Sequence, residues 1–318
     1  MSFNSSRLPD SWCSFLLISN SSRSTSVYYQ VTLTACVFTS LMVPMTVAGN
    51  ALILAAIWKN PSLRTPSYVL LAGLSFTDFC SGLLSQPFYV VYKLAELAGW
   101  RKLICIAGVI TQSVGYYFSS LTVIVMTITA VERWLHMSRR SLLTVRRVVM
   151  LYTASALLLI VLDAVHMYGW YYTNRNFKTV IVIFVLCTTL CFVLTAFAYY
   201  KVYYIIRHHQ NQIQNNENAI DIEKYKKSVF TILYILALFL LSYVPYVCCL
   251  LVINILDIFG TKLSSAAFNV CGAIVFFSSF VNPLLYYWRI KDIRHSVASI
   301  ASNVRCKKDE TNRNHLKL

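Results

Sequence analysis

Apolar positions along this chain do not alternate with polar ones, and they do not form a one-sided helical stripe; they fill whole runs separated by short polar segments. Seven such runs lie near 28–57, 66–94, 103–137, 145–168, 178–206, 228–254 and 264–287. Each is about 20 residues or longer, the length a helix needs to cross a hydrocarbon core about 30 Å thick. A backbone in lipid must satisfy its own hydrogen bonds, so seven runs of this kind predict an all-α, seven-transmembrane helix bundle. The longest connection, His208 to Lys227, contains "QNQIQNNENAID" and reads as a flexible extension between the fifth and sixth helices. No soluble domain and no internal repeat fit the remainder. The expected organisation is an outer amino-terminal segment at 1–27, the bundle at 28–289, and a short amphipathic eighth helix with a cytoplasmic tail at 290–318.

Charge orients the bundle. The chain has 318 residues, 57% of them hydrophobic, and a formal net charge of +16, a balance that in a soluble protein would suggest nucleic acid. With alternate connections assigned to opposite sides, 20 of the 28 Lys and Arg fall on the side of Lys59, Arg133, Arg146 and the tail beyond Arg289, leaving 8 on the other. The positive-inside rule places that side in the cytoplasm and the amino terminus outside, and it accounts for the basicity without nucleic acid. "FLLIS" at 15–19 is too short for the apolar core of a cleavable signal, so the first span is expected to act as its own insertion signal. "NSS" at Asn4 and again at Asn20 makes both asparagines glycosylation candidates on the outside.

Polar groups within the apolar runs are few and expensive in lipid, so they mark function or interior contacts. They are Asn50 in "VAGNALIL", Asp78 in "LSFTDF", Glu132 and Arg133 in "TAVERW", Asp163 and His166 in "LDAVHMYGW", and Asn282 in "SSFVNPLLYYWRIKDIRHSV". In the last stretch Pro283 removes a backbone hydrogen bond and gives its helix a place to bend. Beyond Tyr286, Ile290, Ile293, Val297 and Ile300 recur at helical spacing among basic residues, which predicts a helix lying on an anionic inner leaflet. Asp163 and His166, one turn apart, read as a local hydrogen-bonded pair rather than a ligand site.

Taken in order, these residues resemble the motif set of the rhodopsin-like (class A) G-protein-coupled receptors. Asn50 matches the Gly-Asn of the first helix, "LSFTD" the second-helix pattern ending in Asp78, and Glu132-Arg133-Trp134 the acidic-Arg-Tyr triplet. Tyr199 occupies the fifth-helix tyrosine, Phe239 and Pro245 fit the sixth helix, and "NPLLY", Asn282 to Tyr286, fits Asn-Pro-x-x-Tyr. "YYWRIKDIR" is similar to the eighth helix of the melanocortin and adenosine group, with Cys306 beyond it as a palmitoylation candidate against an unmodified tail thiol.

The resemblance implies a plasma-membrane receptor that passes an extracellular signal to a heterotrimeric G protein, with arrestin as a second cytoplasmic partner. Its switch would be Glu132, Arg133, Tyr199, Asn282, Pro283 and Tyr286, with Arg133 held by Glu132 at rest. A sodium pocket would comprise Asp78, Asn50, Thr122, Ser279 and Asn282, oxygen donors that suit a hard cation. The outer ligand cavity would be lined by Tyr89, Gln112, Tyr116, Ser119, Tyr243, Tyr246, Asn269 and Phe276.

Several positions depart from the family. The sixth-helix tryptophan is Tyr243, the fifth-helix proline is Cys191, and the aspartate of amine receptors is Gly115. The seventh span has no lysine, and Phe276 stands at the retinal-bearing position, which argues against a photopigment. These substitutions predict a neutral, aromatic cavity suited to a lipid, a nucleoside-like molecule or a peptide side chain. Lys93, Glu96, Arg101, Lys102, Arg175 and Lys178 are expected at its rim. The second outer loop contains no cysteine, which leaves a Cys13–Cys105 bridge and two free thiols as the open readings. A transporter or channel is the competing class, but Asp78 is too isolated for a proton relay. An enzyme would need a metal-spaced cluster, a phosphate loop or a nucleophile elbow, and none is present in the sequence.

Overall fold

The computed structural model describes residues 26–138, 143–173, 177–213, 219–256, 258, 261–300 and 302. Seven helices long and apolar enough to cross a membrane run through it: α1 (Ser26–Lys59), α2 (Pro66–Ala98), α3 (Arg101–Met137), α4 (Val145–Thr173), α5 (Phe177–Ile213), α6 (Ala219–Ile255) and α7 (Lys262–Arg289). A shorter helix, α8, follows at 291–300. There is no strand among the described residues.

Local chemistry sets the breaks. Thr65 precedes Pro66 at the start of α2, where a missing N–H costs nothing. Within α2 a five-residue π turn, Ser81–Ser85, is followed by Pro87, which has no N–H to donate into the ladder. The wide turn absorbs that gap and rotates the outer half of α2 relative to the inner half. Gly99, at φ 77°, closes the helix in the left-handed region that a side chain resists. Pro44, Pro245 and Pro283 lie inside α1, α6 and α7.

The main core lies in the inner and middle layers, where Ile53, Leu70, Leu74, Leu121, Val125, Phe239, Tyr286 and Ile293 pack together. The outward faces are apolar too: Trp58, Leu157, Leu158, Ile160, Val161, Leu190 and Leu241 are all exposed. In water such a surface would aggregate, whereas in lipid it matches its solvent. One close approach fixes α1 against α7. A Cβ on Gly49 would lie 2.9 Å from Pro283 Cγ, so only glycine lets the α7 proline seat against α1.

The eighth helix differs from the expectation of a stripe turned to the leaflet. Ile293 is fully buried, and Ile290 and Val297 pack against the main core. Tyr68 of α2 donates to Asp292 Oδ2 at 2.8 Å, and Asn60 donates to Ser296 Oγ at 3.1 Å. Because α8 starts one residue after α7 ends, its apolar stripe meets the inner ends of α1 and α2 before it can meet lipid.

Candidate functional site

At the inner end of α3, Glu132 is buried and Arg133 is partly exposed. Glu132 Oε1 accepts from Ser67 Oγ of α2 at 3.0 Å, and its other oxygen lies 3.6 Å from Arg133 Nε. That separation is an ionic contact without a hydrogen bond, so the carboxylate is anchored by α2 while the guanidinium is only loosely held. Tyr199 of α5 is buried against Ala130 and Ala198, with Val131 and Trp134 beside it, and lies in the field of Arg133. Trp134 meets Phe197 edge to face at 5.5 Å, joining α3 to α5 on the same turn. Tyr286 of α7 is fully buried and its hydroxyl has no hydrogen-bond partner among the described residues. It lies within the electrostatic reach of both Tyr199 and Asp78.

A second centre lies midway across the bundle. Asp78 is 1% exposed and accepts from Asn282 Nδ2 at 2.7 Å, with Ser279 beside the carboxylate. Asn50 Nδ2 donates to the carbonyls of Thr46 at 2.9 Å and Ser279 at 3.1 Å, which leaves Asn50 Oδ1 buried and unpartnered among the described residues. Thr122 reaches Thr77 across the α2–α3 contact at 3.3 Å. Tyr243, which stands where the family carries tryptophan, is buried, interacts with Ser119 and Thr122, and packs on Phe239 at 4.7 Å between ring centroids. The Glu132–Arg133 contact and the Asp78 centre are thus linked electrostatically through Tyr199 and Tyr286. Without a proline, α5 runs on through Cys191, whose carbonyl receives Thr127 at 3.5 Å.

The outer half divides into two regions. Tyr89, Asn269 and Phe276 are buried and engaged with their neighbours. Asn269 donates to Thr32 Oγ1 at 2.9 Å, Tyr89 donates to the Asn269 carbonyl at 3.5 Å, and Tyr89 meets Phe276 edge to face at 5.4 Å. They form a packed knot joining α1, α2 and α7. Gln112, Tyr116, Ser119 and Tyr246 are half-buried on the opposite side. Tyr116 packs in a tilted ring contact on Phe184 of α5 at 4.6 Å, and Tyr246 likewise on Phe268 of α7 at 5.1 Å. A Cβ on Gly115 or Gly272 would meet nothing within 4 Å, so open space borders α3 and α7 at these positions. An apolar recess of about 410 Å³ lies elsewhere, between Val31, Phe38, Val270 and Phe277 on the outward side of α1 and α7.

Lys93 and Glu96, expected at an exposed rim, are buried instead. Lys93 Nζ donates to Glu96 Oε2 at 2.9 Å and sits 4.5 Å from the centre of the Tyr92 ring, while Tyr28 of α1 donates to Glu96 Oε1 at 2.6 Å. The π turn brings this pair around to α1. Its sequence signal was the i, i+3 spacing of opposite charges inside an apolar run. Ser67 and Thr77, which complete the two inner sites, carried no such signal because serine and threonine are common in membrane helices. Arg101 and Lys102 remain exposed.

Cys105 is disulfide-bonded. Cys13, Cys306, Asn4, Asn20 and Arg175 lie outside the described residues, as do the side chains of His166 and Lys178. Among the described residues no group of three or more His, Cys, Asp or Glu could hold a metal ion.

Seven membrane-spanning helices with an acidic-Arg contact at the inner end and a buried Asp-Asn pair at the middle define a seven-helix membrane receptor. The profile of the 7 transmembrane receptor (rhodopsin family) matches residues 49–286, and the chain belongs to that family. It is 23% identical to adenosine receptor A2b of Gallus gallus over 306 residues, covering 84% of this chain and 87% of the relative. It is 22% identical to the probable G-protein coupled receptor 45 of Mus musculus over 310 residues, covering 80% of this chain and 79% of the relative. With adenosine receptor A3 of Bos taurus it shares 22% identity over 274 residues, covering 79% of this chain and 84% of the relative.

Proposed function

We propose that this receptor resides in the plasma membrane with its amino terminus outside, and that an extracellular ligand entering beside Gly115 and Tyr116 drives nucleotide exchange on a heterotrimeric G protein. The observation that carries this reading is the loose Glu132–Arg133 contact. Among the described residues it leaves Arg133 restrained by a 3.6 Å approach and in the field of Tyr199, so a small movement of α5 or α6 frees it toward the cytoplasm. The electrostatic link from Tyr243 through Asp78 and Tyr286 connects the outer cavity to that arginine. Arrestin competes for the same inner face, and the disulfide of Cys105 tethers the outer end of α3, with Cys13 as its proposed partner. Cys306 is the proposed lipid anchor after α8, and Asn4 and Asn20 are the proposed glycan sites.

The direct test is purified receptor in lipid nanodiscs with a panel of G-protein heterotrimers. Faster GTP loading than with empty nanodiscs is the expected result. Substrate flux in proteoliposomes without any such acceleration would return the chain to the transporter class.

The donor set around Asp78 fits a sodium ion. Asp78 takes part in no ion pair among the described residues, and the neighbouring groups are hard oxygens, including the unpartnered Asn50 Oδ1 and Ser75 Oγ. Asp78, Asn50, Thr122 and Ser279 would hold the ion, whose chemistry is to balance the buried carboxylate. Asn282 then orients Asp78 by its amide. Replacing sodium with N-methylglucamine is expected to change basal nucleotide exchange by about fivefold, a typical allosteric coupling. Asp78→Asn keeps the shape, removes the charge and should abolish that dependence. Exchange that ignores sodium in the unsubstituted receptor would leave Asp78 as a structural polar group.

A further inference from the structure

Four acids with described side chains lie in the membrane-spanning helices, and three are accounted for. Asp78 is held by Asn282, Glu96 by Tyr28 and Lys93, and Glu132 by Ser67 and Arg133. The fourth, Asp163 of α4, has a buried Oδ1 with no hydrogen-bond partner among the described residues. It forms no ion pair among them either.

Its direction on α4 is set by the packing. Val148 and Leu159 are buried in the main core, Tyr152 and Ala156 pack against it, and the spacing 148, 152, 156, 159, 163 continues one helical face. Val161, Leu162 and Val165 on the other faces are exposed. Asp163 therefore continues the inward stripe toward the end of α4 that lies beyond the core. It lies within electrostatic range of Tyr116 of α3, whose ring meets Phe184 of α5 at a tilt, and Tyr116 adjoins Gly115 and its open space. A carboxylate with a buried, unpartnered oxygen gains from meeting a positive charge, and aromatic faces beside it add attraction for the same sign of charge.

We propose that Asp163 is the charged anchor of the outer cavity, placed to bind an ammonium or guanidinium group of the extracellular ligand between α3, α4 and α5. This rests on the receptor reading above and deepens it. It also revises the neutral cavity expected from the sequence, because that expectation followed from Gly115 on α3, whereas the acid is supplied by α4.

The test measures the field of Asp163 without knowing the ligand. A Gly115→Cys reporter, which has room for its side chain, is exposed from outside to two thiol reagents. These are cationic 2-(trimethylammonium)ethyl methanethiosulfonate and anionic 2-sulfonatoethyl methanethiosulfonate, with the label at residue 115 quantified by peptide mass spectrometry. Adding Asp163→Asn should lower the cation-to-anion rate ratio by about tenfold, as expected for a unit charge several ångströms away in a medium of intermediate dielectric. Asp163→Glu should preserve the ratio. A ratio unmoved by Asp163→Asn, or a reporter that neither reagent reaches, would overturn the proposal. Asp163→Cys, labelled directly, covers the case in which the asparagine variant does not reach the surface. Access of the cationic reagent supports the anchor, and a thiol sealed from both reagents overturns it. Because labelling needs no G protein, failed nucleotide exchange with intact labelling would count against the receptor reading alone.

Discussion

Arg133→Ala is expected to abolish G-protein activation while surface abundance stays near that of the unsubstituted receptor. Arg133 is partly exposed and makes no hydrogen bond through Nε, so truncating it removes little that holds the fold. An arginine at the centre of a protein interface commonly contributes about 2 kcal/mol or more, which corresponds to roughly thirtyfold in affinity for the partner. Glu132→Gln should act in the opposite direction. It removes the charge that restrains Arg133 but keeps an acceptor for Ser67, so basal exchange should rise. GTP loading in nanodiscs, with surface biotinylation as the folding control, separates the outcomes. Equal loss of exchange and of surface protein in Arg133→Ala would make this arginine structural, and Glu132→Gln without a gain would show that the ionic contact does not hold the resting state.

Glu96→Gln should be the most destabilising of the variants considered. The substitution leaves the Lys93 ammonium buried beside Tyr92 with its counter-charge gone, and it weakens the anchor for Tyr28. Breaking one side of a buried ion pair costs about 3–5 kcal/mol, whereas replacing both partners by apolar groups is often neutral. Thermal unfolding in detergent should therefore show a clear drop for Glu96→Gln and for Lys93→Met alone. The double variant should recover much of the loss, and a double-mutant cycle gives the coupling directly. Additive losses would mean that the pair is solvated, as charges at a rim would be.

The contrast between Lys93–Glu96 and Glu132–Arg133 explains what a sequence can convey about such a site. The inner pair was legible because its two residues are adjacent, so no rotation of α3 can separate them. The outer pair was legible only as two charges near the end of a span. Their burial depends on which way α2 faces after residue 85, and the π turn Ser81–Ser85 shifts that face by about one residue, or ~100°, relative to a regular helix. Tyr89, expected to line the cavity, lies on the same rotated half and packs with Phe276 and the Asn269 carbonyl instead.

By itself the sequence determined the number of helices and their order along the chain, because run length is a local quantity read against a fixed bilayer thickness, and basic charge supplied the expected orientation. It also located Glu132, Arg133, Asp78 and Asn282 along their helices, since a polar group in an apolar run is conspicuous without reference to anything else. The tertiary structure decided which of those groups have partners. Ser67 for Glu132, Tyr28 for Glu96, Tyr68 for Asp292 and Thr32 for Asn269 come from helices far apart in the chain. Such contacts depend on the rotation and depth of each helix, and those are set by the packing of whole faces, such as Gly49 against Pro283, rather than by any local pattern.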